Sequence, residues 1–119
     1  GDPVAVQHGL AFADDTPVVL AETRFPEVRL PGIADALRRE DGVSKALATL
    51  GVHDYVRVST RLRAMTATAT QALHLRLQEG APLLRAESIS HDGNGIPVEH
   101  GQTWFASDRI TLTLDHGET

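Results

Sequence analysis

A chain of 119 residues has room for one compact domain with one core. Its net charge of −5 argues against a nucleic-acid surface on this piece, because such modules carry a basic excess. With no cysteine, a disulfide framework, a thiolate metal site and a cysteine nucleophile are excluded. No apolar run approaches a membrane span and no signal-peptide pattern is present, so a cytoplasmic protein with no membrane partner is expected. Gly1 is followed at once by Asp2-Pro3-Val4, a turn and strand start without an initiator Met, which reads as a piece of something longer.

Val4 to Ala13 reads as a strand, broken by Asp14 to Pro17. Three prolines between Pro17 and Pro31 predict an irregular connection with short extended or helical pieces. Ile33, Ala36 and Leu37 give Gly32 to Arg39 the spacing of a short amphipathic helix. Asp41-Gly42 turns, and Val43 to Leu50 reads as a second helix closed by Gly51. Val52 to Ala64 is a strand. Thr68 and Gln71 form a capping-box signature ahead of a third helix through Leu75. Leu83 to Ser90 is a strand, Asp92-Gly93-Asn94-Gly95 is a hairpin signal, and Ile96 to Ala106 is its return. Ile110, Leu112 and Leu114 alternate in a last strand, and the tail from His116 is expected to fray. The sum is about five strands, mostly hairpin-connected, with three short helices. That is an α+β chain, an antiparallel sheet with the helices on one face.

The strand around Tyr55 to Arg63 carries the strongest chemistry. Val56, Val58, Thr60, Leu62 and Ala64 alternate with Tyr55, Arg57, Ser59, Arg61 and Arg63. A period of two predicts one buried face and one face bearing three guanidiniums and a hydroxyl. Arginine forks match phosphate, phosphonate, sulfate or carboxylate oxygens. Arg57, Ser59 and Arg61 are therefore candidate anion ligands, with Arg63 left as surface. Asp41-Gly42-Val43-Ser44 opens a helix whose free N–H groups suit an anion, which adds Ser44. Glu99 and Thr103, four apart on a strand, share a face, and Glu99 can accept from a ligand hydroxyl or amine. Trp104 alternates to the other face as core. His8 is a further candidate contact.

Gly1-x-Pro3-Val4 recurs as Gly95-x-Pro97-Val98, an offset of 94 residues. A duplicated hairpin would explain it, with the first copy's partner strand ahead of Gly1. The six histidines lack metal-ligand spacing, so no metal and no cofactor are expected. There is no Gly-x-Ser-x-Gly, no Walker loop and no acid–base constellation.

Ala67-Thr68-x-x-Gln71-Ala72-x-x-Leu75, Gly80-x-Pro82-Leu83-Leu84, Asp92-x-x-Gly95-x-Pro97-Val98-Glu99-His100 and Thr103-Trp104-Phe105-x-x-Asp108-Arg109 together resemble the UTRA domain. That is the effector-binding domain of HutC-type GntR transcription regulators. Gly51-Val52-x-Asp54-Tyr55-x-Arg57-x-Ser59-Thr60-Arg61 resembles its phosphonate-metabolism, PhnF-type branch. The resemblance runs from Gly1 to about Leu114. It implies a chorismate-lyase-like fold, one ligand-binding domain over residues 1–119, and an upstream winged helix-turn-helix that contacts DNA. It further implies a small anionic effector, such as a phosphonate or phosphate, and a homodimer. Two departures accompany it: a strand bearing arginines is expected ahead of Gly1, and His100 stands where relatives commonly have Tyr. Three functions compete: an effector sensor, a chorismate-lyase-like enzyme, and a dimerisation module with a vestigial pocket.

Overall fold

The computed structural model describes residues 2–113. Its order is β1 (Val4–Ala13), β2 (Thr16–Pro26), α1 (Ile33–Arg39), α2 (Val43–Thr49), β3 (Val56–Thr66), α3 (Ala69–Leu75), β4 (Pro82–His91) and β5 (Pro97–Ala106). The strands form one antiparallel sheet in the order β1-β2-β5-β4-β3, which bears out the α+β class.

The expected irregular stretch after Pro17 is instead the eleven-residue strand β2. Its prolines bracket the strand and do not break it. β2 pairs with β5 only from Val19 to Arg24, so Pro17 and Pro26 fall outside the stretch where an N–H is needed. The last strand expected from Ile110 does not form over residues 110–113. Leu114 and the tail from His116 lie outside the described residues. Among the described residues the strands number five, as expected, with β2 in place of the one expected from Ile110.

β3 begins four residues later than expected, at Val56, and runs on to Thr66. It has no buried face. Val56, Val58 and Leu62 are 56%, 50% and 48% exposed. The reason is position: β3 is one of the two outer strands, and the helices pack mainly over the other strands.

The helices lie on both faces, where one was expected. Along β2 successive side chains alternate, so Phe25 and Leu20 point opposite ways. α1 and α2 close over Ala5, Phe25 and Val98, burying Leu30, Ile33, Ala36, Ala46, Leu47 and Val52. α3 closes over Leu20, Leu83 and Trp104 through Ala72 and Leu75. These define a Phe25 face and a Trp104 face. At seven residues each, the helices are too short to persist alone and depend on this packing.

α3 is pinned at both ends. Thr68 and Gln71 complete the expected capping box. At the other end the Arg109 guanidinium donates to the carbonyls of Leu75 (2.5 Å), Arg76 (2.8 Å) and Pro17 (2.7 Å). On the Phe25 side, the Asp92 carboxylate anchors the β4–β5 turn. It accepts from the Asn94 and Ile96 backbone and from Arg29, whose Nη2 lies 2.6 Å away. The Arg29 hydrogen bond, with the backbone donors, holds Asp92 below the usual carboxylate range.

The fold contains a repeat, but not at the offset read from the sequence echo. Hairpins β1–β2 and β4–β5 lie side by side with β2 against β5, which matches β1 to β4 and β2 to β5. The echo matches β1 to β5 and so does not mark this repeat. The matching positions are Pro17-Val18 and Pro97-Val98, which lie 80 residues apart. Each valine is the extra residue of a bulge: Val18 between paired Pro17 and Val19, Val98 between paired Pro97 and Glu99.

Candidate functional site

A third bulge decides where the basic strand points. Arg57 pairs with Ser90 and Ser59 pairs with Ile89, so Val58 is the extra residue. Ser90 and Ile89 are neighbours on β4 and face opposite ways. Arg57 is therefore on the Phe25 face, whereas Ser59, Arg61 and Arg63 are on the Trp104 face. The three guanidiniums expected side by side are split across the sheet.

On the Phe25 face, Arg57, Ser90 and Glu99 stand in one row across β3, β4 and β5. Ser90 is 2% exposed and forms the floor. Burial pushes the Glu99 carboxyl above its ordinary range, and the Arg57 charge pulls it back down. Thr103 lies further along the same face of β5, as expected from its spacing to Glu99. Between them Gly101 is buried, and a Cβ there would come within 3.0 Å of the Ser88 hydroxyl. The floor is built from small residues: Ala21, Thr23, Ala86 and Ser88 accompany Gly101 and Thr103.

Ser44 stands at the edge of this face, on α2. Its hydroxyl is 2.8 Å from that of Tyr55, which itself packs against the α1–α2 core. The Ser44–Tyr55 pair thus ties α2 to the chain entering β3. The helix start itself contributes little. α2 has seven residues and its N-cap Gly42 makes no side-chain cap, and the dipole of so short a helix is weak. Tyr55 was legible in the sequence only as a member of the polar side of the strand; its contact with Ser44 depends on how α2 folds back.

On the Trp104 face, His8 is 3.5 Å from Glu22 and lines a hollow of about 590 Å³ with Leu10, Leu20, His74 and Trp104. A second hollow, about 420 Å³, runs past Val4, Arg24, Pro26, Ile89 and His100 to Glu99. His100 points to this face too: its Nε2 is 2.9 Å from Glu87, and that hydrogen bond holds Glu87 below the usual carboxylate range. The departure at position 100 therefore sits on the opposite side of the sheet from the Arg57–Glu99 row. Trp104, expected as core, is half-buried beneath α3. No group of three or more potential metal ligands occurs among the described residues.

Residues 1–111 match the UTRA domain family. The chain belongs to that family. A GntR-family transcriptional regulator from Enterococcus faecalis shares its fold, with a TM-score of 0.76 at 21% identity over 95% of this chain and 81% of that one. This UTRA domain is 34% identical over 115 residues to an uncharacterized HTH-type transcriptional regulator of Rhizobium meliloti, covering 97% of this chain and 47% of that protein. It is 22% identical over 113 residues to the HTH-type transcriptional repressor PhnF of Mycolicibacterium smegmatis, covering 95% of this chain and 46% of that one. The chain spans about half the length of these curated relatives. Among solved structures, its fold matches the C-terminal domain of Yurk from Bacillus subtilis with a TM-score of 0.89. That match covers 97% of this chain and 79% of the other at 19% identity. The antiparallel architecture and the family resemblance read from the motifs are both borne out.

Proposed function

We propose that this UTRA domain is the effector sensor of a cytoplasmic HutC-type DNA-binding regulator. It binds a small anion of phosphonate or phosphate type on the Phe25 face and does not turn it over. The observation that carries this reading is the Arg57–Ser90–Glu99 row over a floor of small residues, with the Ser44–Tyr55 pair at its rim. Arg57 supplies a fork for the anionic end. Glu99 and Thr103 take a hydroxyl or amine at the other end. Ser59, Arg61 and His8 are not part of this row, and their candidacy as ligands at the same site is withdrawn.

An effector held between the sheet and Ser44 or Tyr55 would make contacts to both the β5–β4–β3 floor and the α1–α2 cover. It would favour whichever placement of that cover completes both sets of contacts, which is a population shift. Coupled to a helix-turn-helix domain in a homodimer, that shift sets the spacing of the DNA-reading heads. The similarity to HTH-type regulators supports this reading over a lyase.

The test is calorimetric titration of the protein with inorganic phosphate, methylphosphonate, an aminoalkylphosphonate and sugar phosphates. Saturable binding that is weakened by Arg57→Ala, with no product formed from chorismate, is the expected result. Binding of none of these anions, or binding unaffected by Arg57→Ala, overturns it.

A further inference from the structure

The same bulge that sends Arg57 to one face leaves a second basic cluster on the other. Arg63 and Arg85 are directly paired across β3 and β4. Arg61 is one side-chain step along, paired with Glu87. Like charges directly opposite one another destabilise a sheet, so the Arg63–Arg85 pair needs a compensating group. The chain offers little. Among the described residues no ion pair reaches Arg61, Arg63 or Arg85. Glu87, the acid in the adjacent row, already accepts from His100 at 2.9 Å. Independently, the Arg85 Nε is fully buried and has no hydrogen-bond partner. A buried donor left unpaired costs stability that a bound acceptor recovers.

We propose that Arg61, Arg63 and Arg85 form a second oxyanion site, on the Trp104 face, for a phosphate-type group. It is separate from the effector row, with the thickness of the sheet between them. Three forked cations around one carboxylate, already hydrogen-bonded to His100, suit a multiply charged oxyanion better than a carboxylate. The net charge of −5 makes this cluster a local exception and not part of a basic surface. The oxyanion has two possible sources, a free phosphate ester and the phosphodiester backbone of DNA brought near by a neighbouring domain.

The site carries its own reporter. Trp104 is the single tryptophan of the chain and pairs directly with Arg85 on the same face. Trp104 emission is followed while inorganic phosphate replaces chloride at constant ionic strength. A saturable, phosphate-specific change is expected, weakened about tenfold or more by Arg63→Glu, which puts a carboxylate opposite Arg85. Arg57→Ala leaves that titration unchanged. A short DNA duplex is then titrated against the same reporter. A response sensitive to Arg63→Glu identifies the phosphodiester source, and a response to phosphate alone identifies the free one. No phosphate-specific change, or an Arg63→Glu protein that titrates like the parent, overturns the proposal. Loss of the signal in Arg57→Ala overturns it too, since the signal would then belong to the effector row.

Discussion

Arg57 and Arg61 lie four residues apart on one strand, and plain alternation would give them the same role. The bulge at Val58 predicts different ones. Arg57→Ala removes the cation of the effector row and one charge-assisted contact to the ligand. Such a contact contributes about 1.5–3 kcal/mol, which is about 10- to 150-fold in Kd. Arg61→Ala removes a charge on the far face. With no contact and solvent screening beyond about 10 Å, the effect is less than about twofold. Both are measured by isothermal titration with methylphosphonate on the Arg63→Glu background, so that the cluster on the Trp104 face adds no heat. A second signature accompanies the first. Arg57 pulls the Glu99 carboxyl down against burial, so its removal shifts the pH dependence of binding upward. If Arg61→Ala weakens binding as much as Arg57→Ala, the two arginines reach one ligand and the assignment of faces is wrong.

Glu99→Gln tests the burial of that carboxyl from the stability side. Its folded-state pKa is raised, so between the ordinary and raised values the folded chain holds more protons than the unfolded one, and stability falls as pH rises through that window. The Gln variant lacks this loss. Its Tm should exceed the parent's above the window and converge with it at acid pH, and parallel Tm-against-pH curves would contradict the burial. Phe25→Ala empties a site with 0% exposure beneath α1 and α2. It should cost about 3–5 kcal/mol in urea denaturation, a large part of a total on the order of 10 kcal/mol. Arg109→Ala strips a charged donor from three carbonyls at the end of α3. It should cost about 1.5–3 kcal/mol and red-shift Trp104 emission as the helix loosens over it. Lysine should not restore it, because one ammonium cannot span the three acceptors as a guanidinium fork does.

Part of the proposed row was legible before the fold. Glu99 and Thr103 share a face because no bulge falls between them, so spacing sufficed. The capping box of α3 is a four-residue pattern and was read directly. The prolines of β2 misled because a proline's cost depends on whether a neighbour needs its N–H, and the pairing limits of β2 with β5 are not written in β2 itself. The echo at Gly1 and Gly95 misled for a similar reason: which strands correspond is a property of sheet order.

By itself the sequence determined what is local: helix starts and stops, the Asp92–Gly95 hairpin turn, the alternation within each strand and the family motifs. Each of these depends on a few consecutive residues and their own backbone preferences. The tertiary structure decided which way the alternation points. One extra residue in β3, placed by the pairing of Arg57 with Ser90 and Ser59 with Ile89, splits a single row of arginines between the two faces of the sheet. A period of two has no memory of its phase once a bulge intervenes, and only the partner strand sets that phase again.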